Sequence, residues 1–197
     1  VVAMFFNGTQ SFFAPKDTNL ATITHQWHVL ISPADYAFAI WGLIYSLIIV
    51  FVIYLALPGI KSRNDMLIYG NGSTGMGYLF ALNMLFNSFW LIIFVQNTAV
   101  AFGLDLVVIF VMLFSAIYIL KLSLEVKLNW VEAISIRGGF SLYSAWLLTA
   151  TLLNITFTFK ASGFKNSMGW SIATLYIALA LYFAISVWLR NPLYSLV

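Results

Sequence analysis

The chain has 197 residues, 62% of them hydrophobic and 8% charged, with a formal net charge of +3. A soluble domain carries about 25% charged residues, so a chain with a mean hydropathy of +0.97 cannot cover its surface in water, and its solvent is a lipid bilayer. The small charge excess forms no basic patch for nucleic acid, and the lack of cysteine excludes disulfides, thiolate chemistry and cysteine metal sites.

The elements follow in chain order. The opening VVAMFFNG reads as the last turns of a span whose start is missing. Five complete spans come after it, at about Ala34–Leu57, Gly75–Val95, Ala99–Leu122, Gly138–Phe159 and Met168–Leu189, each near the roughly 20 apolar residues that cross a bilayer as a helix. The runs are too long for the strands of a membrane barrel and lack their period-two alternation. The expected fold is therefore all-α, a single polytopic transmembrane helix bundle over residues 1–197.

The connections differ in character. The stretch from Thr9 to Ser32 is long, polar and aromatic, and residues 58–74 are rich in Gly, Asn and charge. Gln96–Asn97–Thr98 is a tight turn, so the spans on either side are antiparallel neighbours. The stretch KLSLEVKLNWVEAISIR, Lys121 to Arg137, reads as an interfacial helix anchored by Trp130. Lys16, Lys160 and Lys165 fall on one side, and Lys61, Arg63, Lys121, Lys127, Arg137 and Arg190 on the other. The positive-inside rule makes the second side cytoplasmic or matrix.

Inside the second span, Ser32 suits an N-cap, Pro33 the first helical position, and Asp35 the first turn. Phe38, Trp41 and Tyr45 then recur at i, i+3, i+7 on one face. At 1.5 Å per residue Tyr45 lies about 18 Å into the helix, so interfacial anchoring suits Tyr36 and fails for Tyr45. In the third span Asn83, Asn87 and Trp90 share a face, and amides in hydrocarbon must find partners. In the fifth, Tyr143, Trp146, Ala150 and Asn154 form one stripe, with Ala150 small enough for a helix or a flat ligand to approach. Gly138 and Gly139 allow close packing or a bend where that span starts. Each face fits helix packing with interhelical hydrogen bonds. Each also fits the wall of an aromatic pocket with a few polar groups.

Other features are weaker. His25 and His28 are the only histidines, and without a third ligand they suit a solvated or interfacial loop better than a metal. Asp105, near the start of its span, reads as a helix-terminal charge that reaches the interface. Leu113, Tyr118 and Lys121 fit a loose cholesterol-contact pattern. The sequons at Asn7 and Asn71 fall on opposite sides and carry no weight. No nucleophile–base or carboxylate pair lies within the spans.

In this order the segments resemble the tryptophan-rich sensory protein family, also called the translocator protein or peripheral benzodiazepine receptor family. The second span is similar to its Pro-x-x-aromatic-x-Phe-x-x-Trp-x-x-x-Tyr pattern, here Pro33, Tyr36, Phe38, Trp41 and Tyr45. The third resembles Asn-x-x-Trp-x-x-x-Phe, here Asn87, Trp90 and Phe94, and the fifth Tyr-x-x-Trp-x-x-x-Ala-x-x-x-Asn. The resemblance covers about residues 1–160 and implies a five-span bundle, with residues 161–197 adding a C-terminal span. Tyr36 stands where the family often has Trp, and one Pro where it often has two.

The resemblance implies a pocket for flat apolar ligands, tetrapyrroles and sterols among them, with the long loop lying over it. Trp41, Asn87, Trp90, Trp146, Ala150 and Asn154 would line or brace it. Tyr36, Phe38, Tyr45, Asn83 and Tyr143 complete the candidate set. The implied function is a non-enzymatic receptor or carrier for a porphyrin or sterol-like ligand in a mitochondrial, organellar or bacterial membrane. No obligatory cofactor is expected; a tetrapyrrole or a lipid would be the bound molecule. The partners would be the bilayer and either a second copy or a larger complex. The alternative is a structural accessory subunit of an organellar membrane complex. A porphyrin-modifying enzyme is a third reading, for which the sequence supplies no acid–base set.

Overall fold

The structure, a computed structural model, describes residues 20–57, 65, 67–70, 75–165, 167–191 and 194. The partial first span, Lys16, Lys61, Arg63 and the sequon positions Asn7 and Asn71 lie outside the described residues.

Among the described residues the regular elements are helices: α1 (Leu20–Gln26), α2 (Ile40–Ala56), α3 (Met76–Phe94), α4 (Ala99–Leu124), α5 (Gly139–Ala161) and α6 (Met168–Leu189). With their lead-in turns, α2 to α6 are each long and apolar enough to cross a membrane. The five complete spans read from the sequence are these helices, and the chain is an all-α integral membrane protein.

The start of α2 departs from expectation. Ser32 is not its N-cap; its hydroxyl is buried without a partner, and its backbone N–H closes a turn onto Val29 O at 3.1 Å. Pro33 disfavours helical geometry in the residue before it. The chain stays extended through Ala34, at φ −65° and ψ 152°, and winds a 3₁₀ turn, Asp35–Ala39, before α2 begins.

The link from α3 to α4 is as tight as Gln96–Asn97–Thr98 suggests. Asn97 takes the left-handed conformation, φ 53°, which Asn tolerates better than most residues. Thr98 then caps α4 by accepting from Ala101 N at 3.1 Å, and α3 and α4 pack along their length.

The segment before α5 is not a separate interfacial helix. Asn129 and Glu132 form a reciprocal capping box that starts a turn at Trp130–Glu132. This runs through a π-helical stretch, Ala133–Gly138, straight into α5. Trp130 remains 76% exposed, as an anchor at the membrane edge would be. Glu132 is fully buried and also accepts from Tyr54 Oη at 3.2 Å. Arg137 secures the connection by donating to the carbonyls of Ser123 and Val126. Gly139 allows the close packing its sequence suggests, because a Cβ there would lie 3.2 Å from Leu47 Cβ on α2.

The core runs down the middle of α4 and α5. On α4, Ile109, Met112, Ala116 and Ile119 are fully buried at helical spacing. In lipid such contacts hold by close packing and interhelical hydrogen bonds, since the tails are as apolar as the side chains. The last helix is peripheral: only Ser171, Thr174 and Leu189 of α6 are buried. Tyr182 fastens it to α5, donating to Ala145 O at 2.7 Å and so accepting from Thr149 Oγ1 at 2.6 Å. Asn191, just beyond its end, donates to Ser141 Oγ at 2.6 Å.

Candidate functional site

The aromatic faces of α2, α3 and α5 converge. Trp41 stacks on Tyr45 with ring centroids 5.4 Å apart, lies 5.6 Å from Trp90, and meets Trp146 edge-on at 6.5 Å. Phe38, in the 3₁₀ turn, meets Trp146 edge-on at 6.0 Å. These are the offset and edge-to-face arrangements that aromatic quadrupoles favour. They enclose a cavity of about 30 Å³ lined by Phe38, Trp41, Trp90, Phe94, Trp146, Ala150, Leu153, Asn154, Phe157 and Thr24. That is about the share of one water in the liquid, whereas drug-sized ligands occupy about 300–1,000 Å³. The walls are in place and nearly closed against each other.

A second group of the candidate residues is brought together outside the cavity. Tyr143 Oη donates to Asn83 Oδ1 at 2.8 Å and accepts from Asn87 Nδ2 at 3.2 Å. Tyr45 Oη donates to Asn87 Oδ1 at 3.3 Å. Asn83 Nδ2 donates to Met112 O at 2.7 Å and Ser115 Oγ at 2.8 Å. Asn83, Asn87 and Tyr143 are all fully buried. This network joins α2, α3, α4 and α5, and it matches the helix-packing reading of those residues. Tyr36 joins neither group: it is 84% exposed, as a membrane-edge residue would be. Of the candidate set, Phe38, Trp41, Trp90, Trp146, Ala150 and Asn154 line the cavity, and Tyr45, Asn83, Asn87 and Tyr143 brace it from behind.

The segment from α1 to Ile31 closes the pocket at one end. Ile23, Val29 and Trp27 pack against Phe94, Phe102, Leu153 and Phe157. Trp27 Nε1 donates to Asn97 Oδ1 at 2.6 Å, and Asn97 Nδ2 to Gln26 Oε1 at 3.0 Å. Lys160, in the last turn of α5, donates to the carbonyls of both Trp27 and His28. His28 holds φ 44° here, in the left-handed region that few side chains adopt without support. The histidine pair therefore belongs to a lid, and no group of three potential metal ligands occurs among the described residues.

Asp105 overturns the sequence reading. It is not an interfacial charge: it is fully buried, and its Oδ2 accepts from Asn154 Nδ2 at 2.5 Å. Its Oδ1, Asn154 Oδ1 and Trp90 Nε1 are buried without a hydrogen-bond partner. The Trp90 indole approaches the carboxyl, but the geometry does not close a bond. The signal was present in the sequence, since an ionisable residue about 10 Å along an apolar span is a functional candidate by default. The lid contacts of Trp27 and Lys160 had no comparable signal.

The cholesterol-contact pattern does not form one surface. Leu113 points into the core, whereas Tyr118 lies 42% exposed. Lys121 places its ammonium 5.4 Å from the Trp188 ring of α6. Tyr118 and Trp188 border an apolar groove of about 630 Å³ on the outer side of α3 and α4.

A family model described as TSPO-like protein matches residues 1–197, so the matched region includes α6. No curated protein and no solved structure matches the chain.

Proposed function

The chain belongs to the TSPO-like family, and on that premise we propose that it is a receptor or carrier for a flat apolar ligand, tetrapyrrole or sterol-like, with no catalytic step of its own. The observation that carries this reading is the convergence of Trp41, Trp90 and Trp146, with Phe38, Phe94 and Phe157, on one cavity beneath a clamped lid. Packing alone asks only for apolar volume. Indoles and phenyl rings from three membrane helices and a 3₁₀ turn also offer stacking surface to a planar molecule. At about 30 Å³ the cavity admits such a molecule only when rings and lid move apart, so binding is coupled to opening of the segment from α1 to Ile31.

The test is titration of protoporphyrin into protein purified in mild detergent, read by tryptophan fluorescence. Saturable quenching is expected. It should weaken about tenfold, or ~1.4 kcal/mol, in Trp146→Ala and survive in the remote Trp130→Ala.

A second reading, a structural subunit of a larger membrane assembly, draws on α6. That helix exposes Tyr176, Leu179, Phe183 and Trp188, each by more than half its surface, and the cavity is nearly filled. Absence of quenching, together with stoichiometric co-purifying membrane proteins, would select this reading over the first.

A further inference from the structure

We propose that Asp105, Asn154 and Trp90 form a polar recognition centre at the edge of the aromatic cavity, selecting ligands that present an N–H or ammonium group on a flat apolar ring system. This rests on the ligand-binding reading above and specifies the chemistry of the molecule bound.

Asp105 is 0% exposed, Asn154 2% and Trp90 4%, so water does not reach these side chains freely. One bond joins them, from Asn154 Nδ2 to Asp105 Oδ2. Asp105 Oδ1, Asn154 Oδ1 and Trp90 Nε1 are left over. A buried polar group without a partner costs about 1–3 kcal/mol, more if charged. Native folds keep few such groups without a reason, and here three occur together, two of them on the pair that the Asn154–Asp105 bond joins.

Their polarity gives the sign of the missing partner. With the carboxyl ionised, the form a cationic partner would hold, two are acceptors and one is a donor. If the indole N–H turns fully onto the carboxyl, an acceptor still remains. What the centre lacks is therefore a donor, and next to a carboxyl group the best donor carries positive charge. Charge-assisted bonds are about twice as strong as neutral ones.

Placement connects the centre to the pocket. Asn154 and Trp90 line the cavity, and Asp105 stands behind them, bonded to one and approached by the other. When the lid and the rings move apart, a ring system slides between Trp41 and Trp146, and an edge nitrogen on it reaches the carboxyl. An anionic group held against this edge meets the carboxyl and amide oxygens and is rejected there, so a ligand that also carries carboxylates, as protoporphyrin does, binds with them turned away from Asp105.

The probes are 9-aminoacridine, anthracene and 9-anthracenecarboxylate, which share a three-ring plane and differ in the edge group. Binding is read by tryptophan quenching in nonionic detergent, with partitioning into protein-free micelles subtracted. The natural chain is expected to bind in the order amine, hydrocarbon, carboxylate, with the amine favoured over anthracene by about tenfold, ~1.4 kcal/mol. Asp105→Asn, which keeps shape and retains an oxygen toward Asn154, should bring amine and anthracene within about twofold of each other and leave anthracene affinity unchanged. An amine preference that survives Asp105→Asn overturns the proposal. So does an equal response of the natural chain to all three probes, a result that needs no variant to fold. If no probe quenches the natural chain, the pocket reading falls and takes this one with it. Anthracene binding without amine preference leaves the pocket standing and removes only the recognition centre.

Discussion

Tyr143 on α5 donates its hydroxyl proton to Oδ1 of Asn83 on α3, 2.8 Å away and 60 residues earlier in the chain. Asn83 also grips α4 through Met112 O and Ser115 Oγ, so one amide links three helices. In lipid such a group has no water to fall back on. Tyr143→Phe should therefore destabilise the bundle by about 1–2 kcal/mol, and Asn83→Leu by more, because it strips the partners from three positions at once. Thermal unfolding in detergent checks this; midpoints equal to the parent's would mean that packing alone sets the arrangement.

At Gly139 the added Cβ would come within 3.2 Å of Leu47 Cβ. Gly139→Val should cost about 1–3 kcal/mol as α2 is pushed from α5. Leu47→Ala in the same chain should recover part of that loss. A double-mutant cycle measures the coupling, and strict additivity would show that the helices do not meet there.

Lys160 holds the lid by its backbone, at Trp27 O and His28 O. Replacement with Met keeps the aliphatic stem and removes the donor. Amide exchange across residues 20–31 should speed up about fivefold, equivalent to ~1 kcal/mol of local opening, while the α4–α5 core stays protected. If the proposed ligand enters past this segment, protoporphyrin association should quicken as well. Unchanged exchange would place the strength of the lid in its apolar contacts.

Tyr182 is the side chain that seats α6 by hydrogen bonds at mid-helix. Tyr182→Phe should loosen α6 by about 0.6–1.7 kcal/mol, read as faster protease cleavage between α5 and α6 with little change in the unfolding of the rest. Global unfolding at a lower temperature would instead make α6 part of the cooperative core.

Much of this architecture was legible because bilayer physics writes it in large letters. Twenty apolar residues mark a span, and the Asn97 turn and the aromatic stripe at Phe38, Trp41 and Tyr45 needed only helical periodicity. What failed was local. Ser32 looked like a cap, but the extended backbone around Pro33 and Ala34 moved the helix start downstream. The polar stretch at Lys121–Arg137 looked like a surface helix because, although Asn129 and Glu132 have the spacing of a capping box, nothing in the sequence shows that Glu132 is buried and bonded to Tyr54, 78 residues away. Within the candidate site, the sequence supplied the faces but not their phase. Tyr45 and Trp41 are adjacent on one helix, yet one bonds the bracing network and the other lines the cavity. Asp105 was misplaced because its partner, Asn154, lies 49 residues away.

The π-helical stretch at Ala133–Gly138 works as a rotary adjuster. An α-helix turns about 100° per residue, and a wide turn inserts one residue without lengthening the ladder to match. Upstream the chain is pinned by Glu132 and downstream by Gly139 against Leu47. The stretch between them sets the angle at which everything beyond is dialled, and through that angle the azimuth of Trp146, Ala150 and Asn154. Straightened to regular α-helix, the same side chains would sweep about a quarter-turn away from Trp41 and Trp90.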